Sequence, residues 1–155
     1  MNKILISYFS ASGVTKGVAE KINEVVNGDL FEIEPVDKYS DKDLDWMDKE
    51  SRTTIEMNDK ECRPRIVNKV NNISEYDKVI IGFPVWWYTA PRIINTFIEE
   101  NDLSGKEVYV FVTSGSSSFG GSLKDLKEKY DNVNFVKGIR FTGNVSEQEI
   151  LDFIN

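Results

Sequence analysis

Apolar residues run almost without a break through Ile4, Leu5, Ile6, Ser7, Tyr8 and Phe9, the pattern of a strand covered on both faces of a parallel sheet. A turn of small residues, Ser10-Ala11-Ser12-Gly13-Val14-Thr15, comes next. Val18, Ala19, Ile22, Val25 and Val26 then recur at helical spacing until Asn27-Gly28, a helix stop. Leu30 to Glu34 predicts a second strand, ended by Pro35. Lys78 to Phe83, closed by Pro84, and Glu107 to Val112 predict two more buried strands. Ile93, Ile94, Phe97 and Ile98 mark a helix behind Pro91, a proline suited to a helix start. Leu123, Leu126 and Tyr130 mark another, and Val133 to Phe141 contains a weaker strand interrupted at Lys137-Gly138. Ser146 and Glu149 have capping-box spacing and open a last short helix through Ile150, Leu151 and Ile154.

The stretch 36–76 carries less signal. Asp41 to Glu50, rich in acids and lysines around Leu44, Trp46 and Met47, predicts a solvated surface helix, and Glu61 to Val70 a second, weaker one. Strand and helix otherwise alternate along residues 1–155 without repeat or linker, which predicts a single α/β domain, a parallel sheet with helices on both faces. In such sheets ligands bind beyond the carboxyl ends of the strands, near the switch in strand order. The loops after Phe9, Phe83 and Val112 therefore matter most.

Composition narrows the chemistry. With 40% hydrophobic residues the chain can bury a core unaided. Cys62 is the only cysteine, so no intrachain disulfide forms and a reducing, cytoplasmic setting is expected. The chain has no histidine, which excludes His-ligated metal and Ser-His or Cys-His nucleophile pairs. We expect no metal site and no catalytic residue in the usual sense. A net charge of −7, without a Lys/Arg cluster, argues against nucleic acid as a partner. The apolar run at 4–9 is too short for a signal peptide or a membrane span, so no membrane association is expected.

Three loops carry the candidate chemistry. Ser10, Ser12 and Thr15 around Gly13 lie between a strand and the first turn of a helix. Helix-terminal amides and hydroxyls there can hold a phosphate without a basic side chain. The same hydroxyls also suit an ordinary N-cap turn. Neither Gly-x4-Gly-Lys-Ser/Thr nor Gly-x-Gly-x-x-Gly is present. The second loop, Pro84-Val85-Trp86-Trp87-Tyr88-Thr89-Ala90-Pro91, places three large aromatics in succession. One turn cannot bury them all in a core, which leaves a wall for a flat ligand. The third, Thr113 to Gly121, is rich in serine and glycine and carries Phe119; it suits a polar rim for a heterocycle or a mobile linker. All three follow parallel strands and so share one end of the sheet. The ligand they jointly suit is a phosphorylated flat heterocycle.

On these motifs the chain resembles the flavodoxin family, and within it the short-chain bacterial members, over nearly its full length. Ser10 to Thr15 matches the family's phosphate-loop pattern Ser/Thr-x-Ser/Thr-Gly-x-Thr. Gly82 to Pro91 and Ser114 to Gly121 look like its second and third flavin loops. The resemblance implies a five-stranded parallel sheet of order 2-1-3-4-5 and one FMN. It implies that Ser10, Ala11, Ser12, Gly13, Val14 and Thr15 hold the phosphate. Pro84, Val85, Trp86, Trp87, Tyr88 and Thr89 would border one side of the ring, and Ser114, Gly115, Ser116, Phe119 and Gly120 the other. Tyr88 departs from the glycine common in relatives after the paired tryptophans. In the family a peptide of this loop turns over when the flavin takes one electron, and glycine eases that turn. Left-handed geometry costs a bulky residue roughly 1–2 kcal/mol, equivalent to roughly 40–90 mV in a one-electron potential.

The leading expectation is a monomeric electron-transfer protein whose acidic surface steers it to redox partner proteins with basic docking faces. The alternative is an FMN-dependent NAD(P)H:quinone or related two-electron reductase, which Tyr88 favours slightly. A receiver-type interaction module fits poorly, because it needs acidic residues by the first strand and an aspartate after the third. Here those positions are Ser7 to Ser12 and Phe83 to Trp87.

Overall fold

Every second residue of the central strands enters the same hydrophobic layer, as the pleat requires. A computed structural model describes residues 3–11, 13–45, 47–86, 89–113 and 120–154. Its strands are β1 (Ile4–Tyr8), β2 (Asp29–Glu32), β3 (Lys78–Pro84), β4 (Glu107–Thr113) and β5 (Asn134–Phe141). They pair in parallel as one sheet of order β2-β1-β3-β4-β5. The order reverses between β1 and β3. The helices are α1 (Val14–Val26), α2 (Arg52–Asn58), α3 (Arg92–Glu100), α4 (Gly120–Lys129) and α5 (Glu147–Ile154), with a 3-10 turn at Ile73–Glu75.

On one face Val79, Ile81 and Phe83 of β3 and Val108, Val110 and Val112 of β4 meet Ile93, Ile94 and Phe97 of α3 and Leu126 of α4. On the other face Ile6, Tyr8, Ile80, Tyr109 and Phe111 meet Val18 and Ile22 of α1 and Ile150 and Phe153 of α5. The buried Ser7 Oγ of β1 donates to the Ile80 carbonyl at 2.8 Å, which satisfies it without water. Gly82 has a different reason to lack a side chain. It pairs with Phe111, whose ring lies 2.0 Å from where a Cβ would stand.

Two expectations for 36–76 fail: aspartate and serine side chains bind nearby amides in the first segment, and backbone bonds to residues 34–36 replace a helix in the second. The described residues of 41–50 form turns and irregular chain, not a helix. Ser40 and Asp43 cap each other's amides, and the carboxylates of Asp45 and Asp48 accept the amides of Met47 and Glu50. Such local bonds compete with a helix. The helix forms only after that stretch, from the N-cap Ser51, whose hydroxyl accepts the Thr54 amide. Its β-branched run Thr53-Thr54-Ile55 hid it from the pattern. Residues 61–70 are irregular around Pro64, and Ile66 forms an antiparallel bridge with Pro35. In β5 the expected interruption is a register shift. Phe135 pairs with Val108 and Lys137 with Tyr109, which leaves Val136 as the extra residue of a bulge. The capping box is present in both directions, Glu149 N–H to Ser146 Oγ and Ser146 N–H to Glu149 Oε1. Among the described residues no helix is long and apolar enough to cross a membrane.

A polar network ties α3 to its surroundings. The Tyr130 hydroxyl donates to Glu99, which also takes Arg63 Nε at 2.9 Å, while Asn95 donates to the Tyr130 oxygen. Burial, then the bond to Glu99, pushes the Tyr130 phenol up from 10.0 to about 12. The folded state thus holds this proton more tightly. Its stabilisation is complete below pH 10 and is lost as pH rises towards 12. Tyr130→Phe is expected to flatten the fall in urea midpoint across that window. Equal slopes in variant and wild type would contradict the assignment.

Candidate functional site

The chain ends β1 at Tyr8 because Phe9 must turn into the core; its amide makes a last ladder bond to the Gly82 carbonyl. The first loop follows at once. Gly13 takes φ +95°, with no atom within 4 Å of a would-be Cβ, so the backbone there is both left-handed and open. It is the N-cap of α1 and brings no side-chain acceptor to the first amides. The positive end of α1 thus lies at this loop without a side-chain cap. The first turn contains no acidic residue. Ser10 Oγ accepts the Gly13 amide at 3.0 Å, which leaves its own proton free to donate. Ala11 packs against the core, and Val14 is exposed.

Thr15 is 2% exposed, and its Oγ1 lies 2.7 Å from Thr113 Oγ1 at the end of β4. The Thr113 carbonyl in turn accepts the amide of Val85 at 3.4 Å. Thr113 thus joins the roots of all three loops. Thr113 opens the third loop, but the family motif that marks the expected ring-bordering residues starts one position later, at Ser114, and so misses it.

In the second loop Pro84 is the last residue of β3, and Val85 and Trp86 pack half-buried against the core. Trp86 and Thr89 exchange both backbone hydrogen bonds at 3.0 Å. The Thr89 hydroxyl is committed to Asp125 of α4. Trp86 is met edge-on by Phe9, with centroids 5.5 Å apart, and by Tyr39 at 5.4 Å. One indole of the pair is therefore partly core. Gly120 opens α4. The predicted site residues Ser12, Trp87, Tyr88, Ser114, Gly115, Ser116 and Phe119 lie outside the described residues.

A cleft of about 670 Å³ lies between α2, α3 and α4, with Thr89, Arg92, Asn95 and Asp125 in its wall. Arg92 is fixed there by the carbonyls of Glu56 and Met57. Cys62 has no comparable poise. Burial, then Glu56 and Asp59, pushes its thiol above the usual value, the direction opposite to an activated thiolate.

The sequence profile of the family described as Flavodoxin matches residues 3–155. The chain belongs to the flavodoxin family. Among solved structures, this flavodoxin-family chain is similar to a candidate flavoprotein from Bacteroides eggerthii. The two are 47% identical with TM-score 0.96, over 99% of this chain and 96% of that one. A flavoprotein from Lactobacillus acidophilus, solved in complex with FMN, is 25% identical with TM-score 0.77 over the whole of both chains. A curated relative, the FMN-dependent NADH:quinone oxidoreductase of Brevibacillus brevis, is 28% identical over 103 residues, 66% of this chain. The match spans about half (49%) of that relative's length.

Proposed function

We propose that this flavodoxin-family protein binds one FMN at the carboxyl end of β1, β3 and β4 and transfers electrons between protein partners. The observation that carries the reading is the Thr15–Thr113–Val85 connection, which draws the roots of three loops together at the switch in strand order. The residues present suit the group. The donor set at 10–15 is hydroxyl and amide with no carboxylate, as a phosphate dianion requires. Ser10, Ser12 and Thr15 would donate to the phosphate, and the open backbone at Gly13 would allow close approach. Trp86, Trp87, Tyr88 and Thr89 would border the ring on one side, and residues 114–120 on the other.

Bound FMN supplies one- and two-electron redox chemistry. The protein's part is to hold it, exclude water and set its potential. With a net charge of −7, the chain disfavours further negative charge on the ring and attracts basic docking faces.

A second reading, an FMN-dependent NAD(P)H:quinone or related reductase, is supported by the Brevibacillus relative and by the cleft that shares Thr89 with the second loop. That cleft has room for a second reactant. Anaerobic stepwise reduction followed by absorbance separates the two. The carrier reading expects two resolved one-electron steps and slow NADH oxidation. A single two-electron step with rapid NADH oxidation in the presence of a quinone would overturn it in favour of the reductase.

A further inference from the structure

Residues 37–58 lie outside the three loops, yet they deliver a ring to one of them. Tyr39 stands in irregular chain and meets both Phe9 and Trp86 edge-on, at 5.7 and 5.4 Å. A ring on such a segment holds its place only if something else fixes it. Here the Tyr39 hydroxyl donates to Glu56 Oε1 at 2.6 Å. Arg52 lies over the ring, with Cζ 3.8 Å from the centroid. Arg52 also donates to Glu56 Oε2 at 2.9 Å and to the Asp37 carbonyl at 2.7 Å.

Glu56 is only 7% exposed. A buried carboxylate is expensive to keep, and an apolar residue of like volume would serve stability as well or better. What the charged cluster secures is direction: it fixes the phenol from its hydroxyl, from its face and from the chain before it. Phe9, 5.7 Å from Tyr39 and 5.5 Å from the indole, is fixed by the core. The three rings form a triangle of edge contacts, in which Trp86 rests on one core ring and one clamped ring.

We propose that Tyr39, clamped by Glu56 and Arg52, is a positioning residue that fixes the Trp86 indole in the second loop and so sets the protein's affinity for the flavin ring. The second half of this statement rests on the FMN reading above; the first half does not. It gives residues 37–58 a task that no family loop motif assigns to them.

The test uses the full chain labelled with 5-fluorotryptophan, which has three tryptophans; the Trp86 line is assigned by its loss in Trp86→Phe. Glu56→Gln and Tyr39→Phe loosen the clamp at nearly constant volume, and Tyr39→Leu removes the ring. Without cofactor, the Trp86 fluorine line should shift and broaden in all three, most in Tyr39→Leu. The Kd for FMN should rise about 5-fold or more in Tyr39→Phe, and further in Tyr39→Leu. A purely structural role predicts a lower melting temperature with the Trp86 line and the FMN Kd of the folded protein unchanged, and that result overturns the proposal. If wild type binds no FMN, the cofactor reading falls, while the fluorine line still decides whether Tyr39 positions Trp86.

Discussion

Thr15→Val is expected to weaken FMN binding by roughly 10- to 100-fold, from the loss of one hydrogen bond to a charged group worth roughly 1.5–3 kcal/mol. Valine copies the shape of threonine, so the first turn of α1 keeps its packing. What disappears is a hydroxyl already paired with Thr113 at 2.7 Å. When Thr113 donates in that pair, the Thr15 proton is free for a ligand oxygen. The substitution removes that donor and also leaves the buried Thr113 hydroxyl without its partner, a further cost in stability of roughly 1–3 kcal/mol. Riboflavin, which shares the ring but lacks the phosphate, provides the control. Flavin-fluorescence titrations should show the loss for FMN and little change for riboflavin. An equal loss for both would mean that Thr15 supports the loops generally rather than the phosphate.

Gly82→Ala should have the largest effect on stability. The new methyl would meet three carbons of the Phe111 ring between 2.0 and 2.5 Å away. The ring cannot retreat easily, because Phe111 is fully buried and packs against Phe141 at 6.0 Å between centroids. Overpacking of a tight core typically costs roughly 1–3 kcal/mol, and so severe a clash belongs at the upper end. For a chain of this size that lowers Tm by about 6–12 °C. Thermal unfolding followed by circular dichroism checks it. A variant that melts within a degree or two of wild type would show that β3 and β4 separate more readily than their packing implies. Since β3 leads into the second loop, weaker flavin retention should accompany the loss. The double variant Gly82→Ala with Phe111→Leu should recover part of the stability.

The sequence was informative wherever burial on both faces or a helical stripe left a repeating pattern. The runs at 4–9, 78–83 and 107–112 are the three central strands, and Val18, Ala19 and Ile22 do form the buried stripe of α1. Gly13 was readable as a turn residue because its neighbours are small and hydroxylic. Gly82 was not, because its reason is a ring contributed from 29 positions further along the chain. Local rules failed between 36 and 76. Asp43, Asp45 and Asp48 look like surface-helix residues until their carboxylates bind nearby amides. Tyr39 carried no signal at all, since its role depends on contacts with Phe9, Glu56 and Trp86 that only the folded chain brings about. At the candidate site, Ser10, Gly13, Thr15 and the second loop gather at one end of the sheet. Thr113, which joins them, was legible as the start of the third loop, but its bond to Thr15 joins positions 98 residues apart and only the fold reveals it.

Native mass spectrometry of the purified chain mixed with a modest excess of FMN tests the central claim most directly. The account predicts a complex of one FMN per chain, with the tryptophan emission of the same sample quenched. A spectrum of bare chain alone, with emission unchanged, would contradict it.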